Sequence, residues 1–151
     1  MSVLQDRLGL ELMEATHAGD IERIRRMLDA GVDSTYLPAN RFAPALHRAV
    51  DAASVEVAQD LLGRGCPPDI RDRAKQTALG TVVHELGRGR DEPDATKLKR
   101  IGELLMERGA SPTSPCGSEH TALSLARAYG RPDLESWLEA HLTRTPARFS
   151  S

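Results

Sequence analysis

One mark recurs in this chain at a spacing that leaves few folds open. Met27-Leu28-x-x-Gly31 returns as Leu61-Leu62-x-x-Gly65, and again as Leu105-Met106-x-x-Gly109. A second mark moves in step with it. Leu46 is followed at nearly the same interval by Leu79 and then, after the longer interval, by Leu123, the last two inside Thr77-Ala78-Leu79 and Thr121-Ala122-Leu123. Two marks held in phase, with one interval lengthened for both, describe a tandem array that carries a single insertion.

Residues 41–65 show the unit most plainly. A turn-like segment ends at Pro44, and Leu46, His47, Ala49 and Val50 begin an apolar face. After the small residues Ala52-Ala53-Ser54, a second apolar face runs through Val57, Ala58, Leu61 and Leu62 and stops at Gly65. The spacing predicts two short helices back to back, closed by glycine. A unit of that size cannot bury its own apolar face, so it needs neighbours of the same kind.

These residues resemble the ankyrin repeat, whose pattern runs Gly-x-Thr-Pro-Leu-His-x-Ala-Ala-x-x-Gly and then an apolar helix ending Leu-Leu-x-x-Gly-Ala. The likeness spreads over residues 10–142 as four units. Leu12-Met13-Glu14-Ala15 through Gly19-Asp20 to Gly31 reads as the opening unit, and Thr121-Ala122-Leu123 through Tyr129-Gly130 to Trp137-Leu138 as the closing one. Departures from the pattern are Pro44 for Thr, Gly80 for His and Ala53 for the inter-helix Gly. The resemblance implies an all-α solenoid of four helix–turn–helix units with projecting finger loops. The domain is expected over residues 1–142, with units at about 10–40, 41–73, 74–117 and 118–142 and a polar tail over 143–151.

The 11 extra residues fall inside the third unit, between its two helices, around Leu86 to Thr96. They are expected to lengthen a surface connection on the edge opposite the fingers. Gly87 and Gly89 are read as ending the first helix, and Asp94 or Thr96 as capping the second. Elsewhere Asp20 is placed to cap the helix that starts at Ile21. Residues 1–11 extend the first helix, with Val3, Leu4 and Leu8 at helical spacing. Arg25 and Arg26 are assigned to solvent, with Asp29 at i+4 from Arg25.

Only 3% of the chain is aromatic, which suits a core of small and aliphatic contacts between stacked helices. The net charge of −2 gives no general pull toward nucleic acid or an anionic membrane. Seventeen Arg against three Lys, with abundant Ala and Gly, point to a GC-rich and bacterial coding sequence. No apolar run approaches the ~20 residues that span a bilayer, and no leader pattern opens the chain, so the expected location is the cytoplasm. Cys66 and Cys116 belong to different units and fit no metal-ligand spacing.

Enzyme constellations are absent from the pattern. His84-Glu85-Leu86-Gly87-Arg88 begins like a zinc-protease motif, but Arg88 stands where the second His must be. Gly87-x-Gly89 has Glu92 at the last glycine place, and no Gly-x-Ser-x-Gly elbow occurs. No catalytic residue, metal or cofactor is therefore assigned, and the protein is read as a non-enzyme.

The surface candidates come from two places. The first finger, 32–44, carries Tyr36, Arg41 and Phe42, anchor-like residues in an aromatic-poor chain. The second, Pro67 to Gln76, carries Arg71, Arg73 and Lys75 in alternation. The third, Ala110 to His120, is rich in Ser and Pro and is expected to be mobile. By the resemblance, the two residues before each inter-helix turn face a concave groove: His17 and Ala18, Asp51 and Ala52, His84 and Glu85, Ala128 and Tyr129. Asp51, His84 and Tyr129 complete the candidate binding set. The resemblance implies a monomer that binds one protein partner, a toxin or an enzyme, as a stoichiometric inhibitor of the immunity type. A general adaptor or assembly chaperone is the alternative.

Overall fold

The computed structural model describes residues 2–35, 44–115 and 120–144, with side-chain detail from residue 7 to 142. Eight helices run along these residues: α1 (Ser2–Ala18), α2 (Ile21–Asp29), α3 (Ala45–Asp51), α4 (Val55–Gly63), α5 (Ala78–Arg88), α6 (Asp94–Glu107), α7 (Ala122–Ala128) and α8 (Pro132–Arg144). They associate as consecutive pairs, α1 with α2 through α7 with α8. The pairs then stack in two rows, α1–α3–α5–α7 in the first and α2–α4–α6 in the second. This is the all-α solenoid that the two phased marks require. None of these helices is long and apolar enough to cross a membrane.

The marks have physical causes. Gly31, Gly65 and Gly109 each take a positive φ just past a second-row helix, a conformation that glycine adopts without a Cβ penalty. The next residue's N–H then turns back to the helix: Val32 to Met27 O, Cys66 to Leu61 O and Ala110 to Leu105 O. The first mark is thus a helix-stop device. The second is a start device: Thr77 and Thr121 cap α5 and α7, their hydroxyls accepting from Gly80 N and Ser124 N. Asp20 caps α2 by accepting from Arg23 N, as expected.

One continuous core lies between the rows. Leu46, Leu61, Leu79, Leu98, Ile101, Leu105, Leu134 and Leu138 are all fully buried. Cys66 belongs to it, and burial pushes its thiol up to about 11, which leaves it unreactive. At the far end Trp137 lies over α6, where a Cβ on Gly102 would stand 2.5 Å from the indole.

The insertion differs from expectation. Compared with the preceding pair, four of the extra residues lengthen α5, from 7 residues to 11, and five lengthen α6, from 9 to 14. Only two go into the turn, which spans 52–54 in one pair and 89–93 in the next. Gly87 therefore lies inside α5, and Gly89 alone ends it, with φ +94°. The glycine inside the helix is where Tyr129 seats: an added Cβ there would meet the phenol ring at 2.5 Å. Nor does Asp94 or Thr96 cap α6. The cap position is Pro93, and the Glu92 carboxylate takes Thr96 N at 3.1 Å.

Arg25 and Asp29 also depart from expectation. Each pairs across to the next helix pair and not with the other: Arg25 with Asp60 at 2.9 Å, besides a longer contact to Glu22 along α2 at 4.0 Å, and Asp29 with Arg64. Both partners stand one period of the array further on. α8 continues to Arg144, into the segment that the sequence sets aside as tail.

Candidate functional site

Tyr36, Arg41 and Phe42, like Cys116 and the end of the tail, lie outside the described residues. The second finger is fully described, and its form follows from Asp72. That buried carboxylate accepts from Ala74 N and Gln76 N, each at 2.9 Å, and the Asp72 N–H returns to Gln76 O. Asx-type closure of this kind makes a tight turn. Arg71, Arg73 and Lys75 are exposed on it. Arg71, however, donates to Lys75 O within its own finger and to Pro115 O of the third at 2.7 Å. Its guanidinium straps two fingers together. The described part of the third finger is held too, by Leu123 N donating to Pro112 O and by Ser111 contacting Thr113.

The finger is joined to the helices by a polar chain. His47 Nε2 donates to Gln76 O at 2.9 Å. The Gln76 amide nitrogen lies 2.9 Å from His84 Nε2, and His84 Nδ1 lies 2.6 Å from the Tyr129 hydroxyl. An amide nitrogen only donates, so His84 Nε2 accepts and its proton sits on Nδ1, pointing at the Tyr129 oxygen. The Tyr129 hydroxyl proton remains available to another acceptor. Burial, reinforced by Arg88, lowers the pKa of His84, and burial lowers that of His47 as well.

His47 Nδ1 is buried without a partner. The α7 pair shows why. At α7 the third helical residue, Ser124, accepts from the N–H of the cap residue Thr121 at 2.9 Å. His47 occupies the same place in α3, but the cap residue there is Pro44, which has neither an N–H nor a hydroxyl to offer. The missing Thr leaves the nitrogen orphaned.

The four first-row helix ends bring the groove candidates to one side, in two conditions. On the α5–α7 side the polar groups are engaged with one another: His84 with Gln76 and Tyr129, Glu85 with Arg88 and Arg90, Arg127 with Glu135. Arg131 donates to Leu86 O at 2.7 Å and pairs with Asp133. Arg90 also reaches Asp94 at 2.9 Å, closing the base of the insertion. On the α1–α3 side His17, Ala18, Asp51 and Ala52 are exposed. Neither Arg48 nor Asp51 forms an ion pair with a described residue, and Met13, Glu14, His17 and Arg48 line an open pocket of about 260 Å³. Partial burial raises the pKa of Asp51; Arg48 works against that rise, and Glu85 adds a smaller push upward. No group of three His, Cys, Asp or Glu able to hold a metal occurs among the described residues.

Sequence reasoning missed the arginines that clamp adjacent pairs. Arg64 and Arg108 both precede the helix-stop glycine, and each reaches back one pair, to Asp29 and to Leu62 O. Their common register, each directly before its glycine, was the available signal.

Comparison with known proteins fits this geometry. The ankyrin-repeat family model matches residues 43–73, which span α3, α4 and the larger part of the second finger. Cyclin-dependent kinase 4 inhibitor B of Bos taurus is 31% identical over 130 residues, covering 86% of this chain and 90% of that protein. With paired helices, glycine stops and finger turns in register along the stack, the chain belongs to the ankyrin-repeat family.

Proposed function

We propose that the protein is a non-enzymatic binding module that blocks one partner protein by occupying it at one-to-one stoichiometry. The observation that carries this reading is the open α1–α3 side of the first row, with polar groups unpaired on a rigid stack. A surface of that kind is complementary to another polar surface, not to an apolar small molecule. Similarity along nearly the whole length to a protein named as a kinase inhibitor supports the inhibitor role. The partner is then an enzyme or a toxin, and in a bacterial cytoplasm the role is that of an immunity protein. The binding set is Asp51 at the open helix end with Tyr36, Arg41, Phe42, Arg71, Arg73 and Lys75 on the fingers; His84 and Tyr129, bonded to each other, hold the neighbouring side in place.

The test begins with capture on the tagged chain and identification of the bound protein by mass spectrometry. The partner's own activity is then titrated with the chain. A linear loss that breaks at one equivalent supports inhibition. Tight binding that leaves the activity intact would make the protein an adaptor or assembly chaperone instead.

A further inference from the structure

The third finger holds two Ser-Pro dipeptides, and the structure treats them differently. Ser111 is half-buried, and its hydroxyl is engaged with Thr113 Oγ1 at 3.0 Å and Thr113 N at 3.2 Å. Pro112 behind it is buried, with its carbonyl taken by Leu123 N. Ser114 and Pro115 are exposed. The Ser114 N–H closes a turn onto Ser111 O at 3.3 Å, while its hydroxyl bonds to no described residue. A cleft of about 90 Å³ between the second and third fingers brings this serine beside Arg71. The guanidinium is held there by two neutral acceptors, Lys75 O at 2.5 Å and Pro115 O at 2.7 Å. It forms no ion pair with a described residue, not even with Asp69, which lines the same cleft. A phosphate on the serine would meet that charge. Hydrogen bonds from a guanidinium to phosphate oxygens are roughly twice as strong as those between neutral groups.

We infer that Ser114 is a phosphorylation site, written by a proline-directed serine kinase and read by Arg71. In the step, Ser114 Oγ attacks the γ-phosphorus of ATP. The bond from that phosphorus to the β–γ bridging oxygen breaks, its electron pair leaves on ADP, and the serine proton passes to the kinase's catalytic base. The product carries about −1.5 to −2 charge at pH 7, which outweighs the repulsion of Asp69 by drawing the guanidinium off its carbonyls. The consequence deepens the inhibitor reading and rests on it. A basic second finger offset by phosphate loses its attraction for an acidic partner surface, so phosphorylation turns binding down.

The modification is tested without the partner. The full chain is incubated with ATP and a purified proline-directed kinase, and the phosphorylated positions are mapped by mass spectrometry. Thr145-Pro146, a further dipeptide of this kind, lies outside the described residues, so the assay uses a Thr145→Ala background. Ser114 should take up phosphate, Ser111 should not, and Ser111→Ala should leave the incorporation unchanged. Phosphorus-31 NMR then titrates the phosphate. Its second pKa should fall below the ordinary value of about 6, stay low in Arg71→Lys and return in Arg71→Gln. Phosphate on Ser111 in place of Ser114, no incorporation, or a titration that Arg71→Gln leaves unchanged would each overturn the inference. With the captured partner in hand, the phosphorylated chain should bind about five-fold more weakly. Unchanged binding by a chain whose phosphate pairs with Arg71 would remove the second finger from the binding set and leave the modification site standing.

Discussion

The two ends of this array are joined by different means. Between the first two helix pairs the second row is tied by exposed ion pairs, Arg25–Asp60 and Asp29–Arg64, and the first row is left open. Between the last two pairs, rings seat on glycines: Tyr129 on Gly87 and Trp137 on Gly102. There, too, the polar groups of the first row close on one another through His84, Tyr129 and Arg131. At one end these polar groups are engaged in holding the stack together, and at the other Arg48 and Asp51 form no ion pair with a described residue. The insertion makes this possible, because the four residues added to α5 carry Gly87 out to where Tyr129 can lie on it.

The largest effect should come from breaking the closed end. Gly102→Val places bulk where the Trp137 ring sits and should cost about 1–3 kcal/mol, the range for overpacking a filled site. Urea unfolding followed by Trp137 fluorescence measures it. An unchanged midpoint would mean that the ring does not seat there.

A repair of the second pair comes next. Pro44→Thr restores the cap hydroxyl and gives His47 Nδ1 an N–H, at a backbone φ of −75° and ψ of 175° close to those of Thr77. Capping is typically worth ~1 kcal/mol and an orphaned buried acceptor costs about 1–3 kcal/mol, against roughly 0.4–1 kcal/mol lost by releasing proline. The net expectation is a gain of about 1 kcal/mol by thermal or chemical unfolding. A loss would show that the Pro44 ring, not its missing donor, matters to the fold.

His47 also sets a pH dependence. Its folded pKa lies below the ordinary 6.5, mainly through burial, so the unfolded chain binds the proton more readily. Its contribution is fully present above 6.5 and is lost as pH falls through the folded value; His84 acts in the same direction. Melting temperature should therefore drop on acidification from pH 7 toward 5, and less so in His47→Gln. An equal drop in both would move the titration elsewhere.

The smallest effect belongs to the open end. A double-mutant cycle on Arg25 and Asp60 should return under about 1 kcal/mol, fading with salt, as exposed pairs do. A coupling well beyond that range, or one that salt leaves untouched, would erase the contrast between the two ends.

What could be read in advance follows the same division. The helix stops at Gly31, Gly65 and Gly109 and the cap at Asp20 are local devices and were legible in the chain; the start of α6 at Pro93 was not. The partition of the insertion was not, because Gly87 is ordinarily a helix terminator and stays helical here beside a ring supplied by the next helix pair. Arg25 and Asp29 misled for a related reason. A pair along one helix and a pair between successive helices are both consistent with the same residues, and only the stack decides. At the candidate site, register assigned Asp51, His84 and Tyr129 to the ends of first-row helices. It could not reveal that two of them bond to each other while the third stays unpaired.

The central claim is that the α1–α3 side faces the partner while the α5–α7 side holds the array together. Hydrogen exchange read by mass spectrometry, on the chain alone and saturated with its captured partner, tests it most directly. The account predicts added protection over residues 10–20 and 44–54 in the complex, with little change over 122–131. Protection gained at 122–131 or across the insertion at 88–95, with 10–20 and 44–54 unchanged, would contradict it.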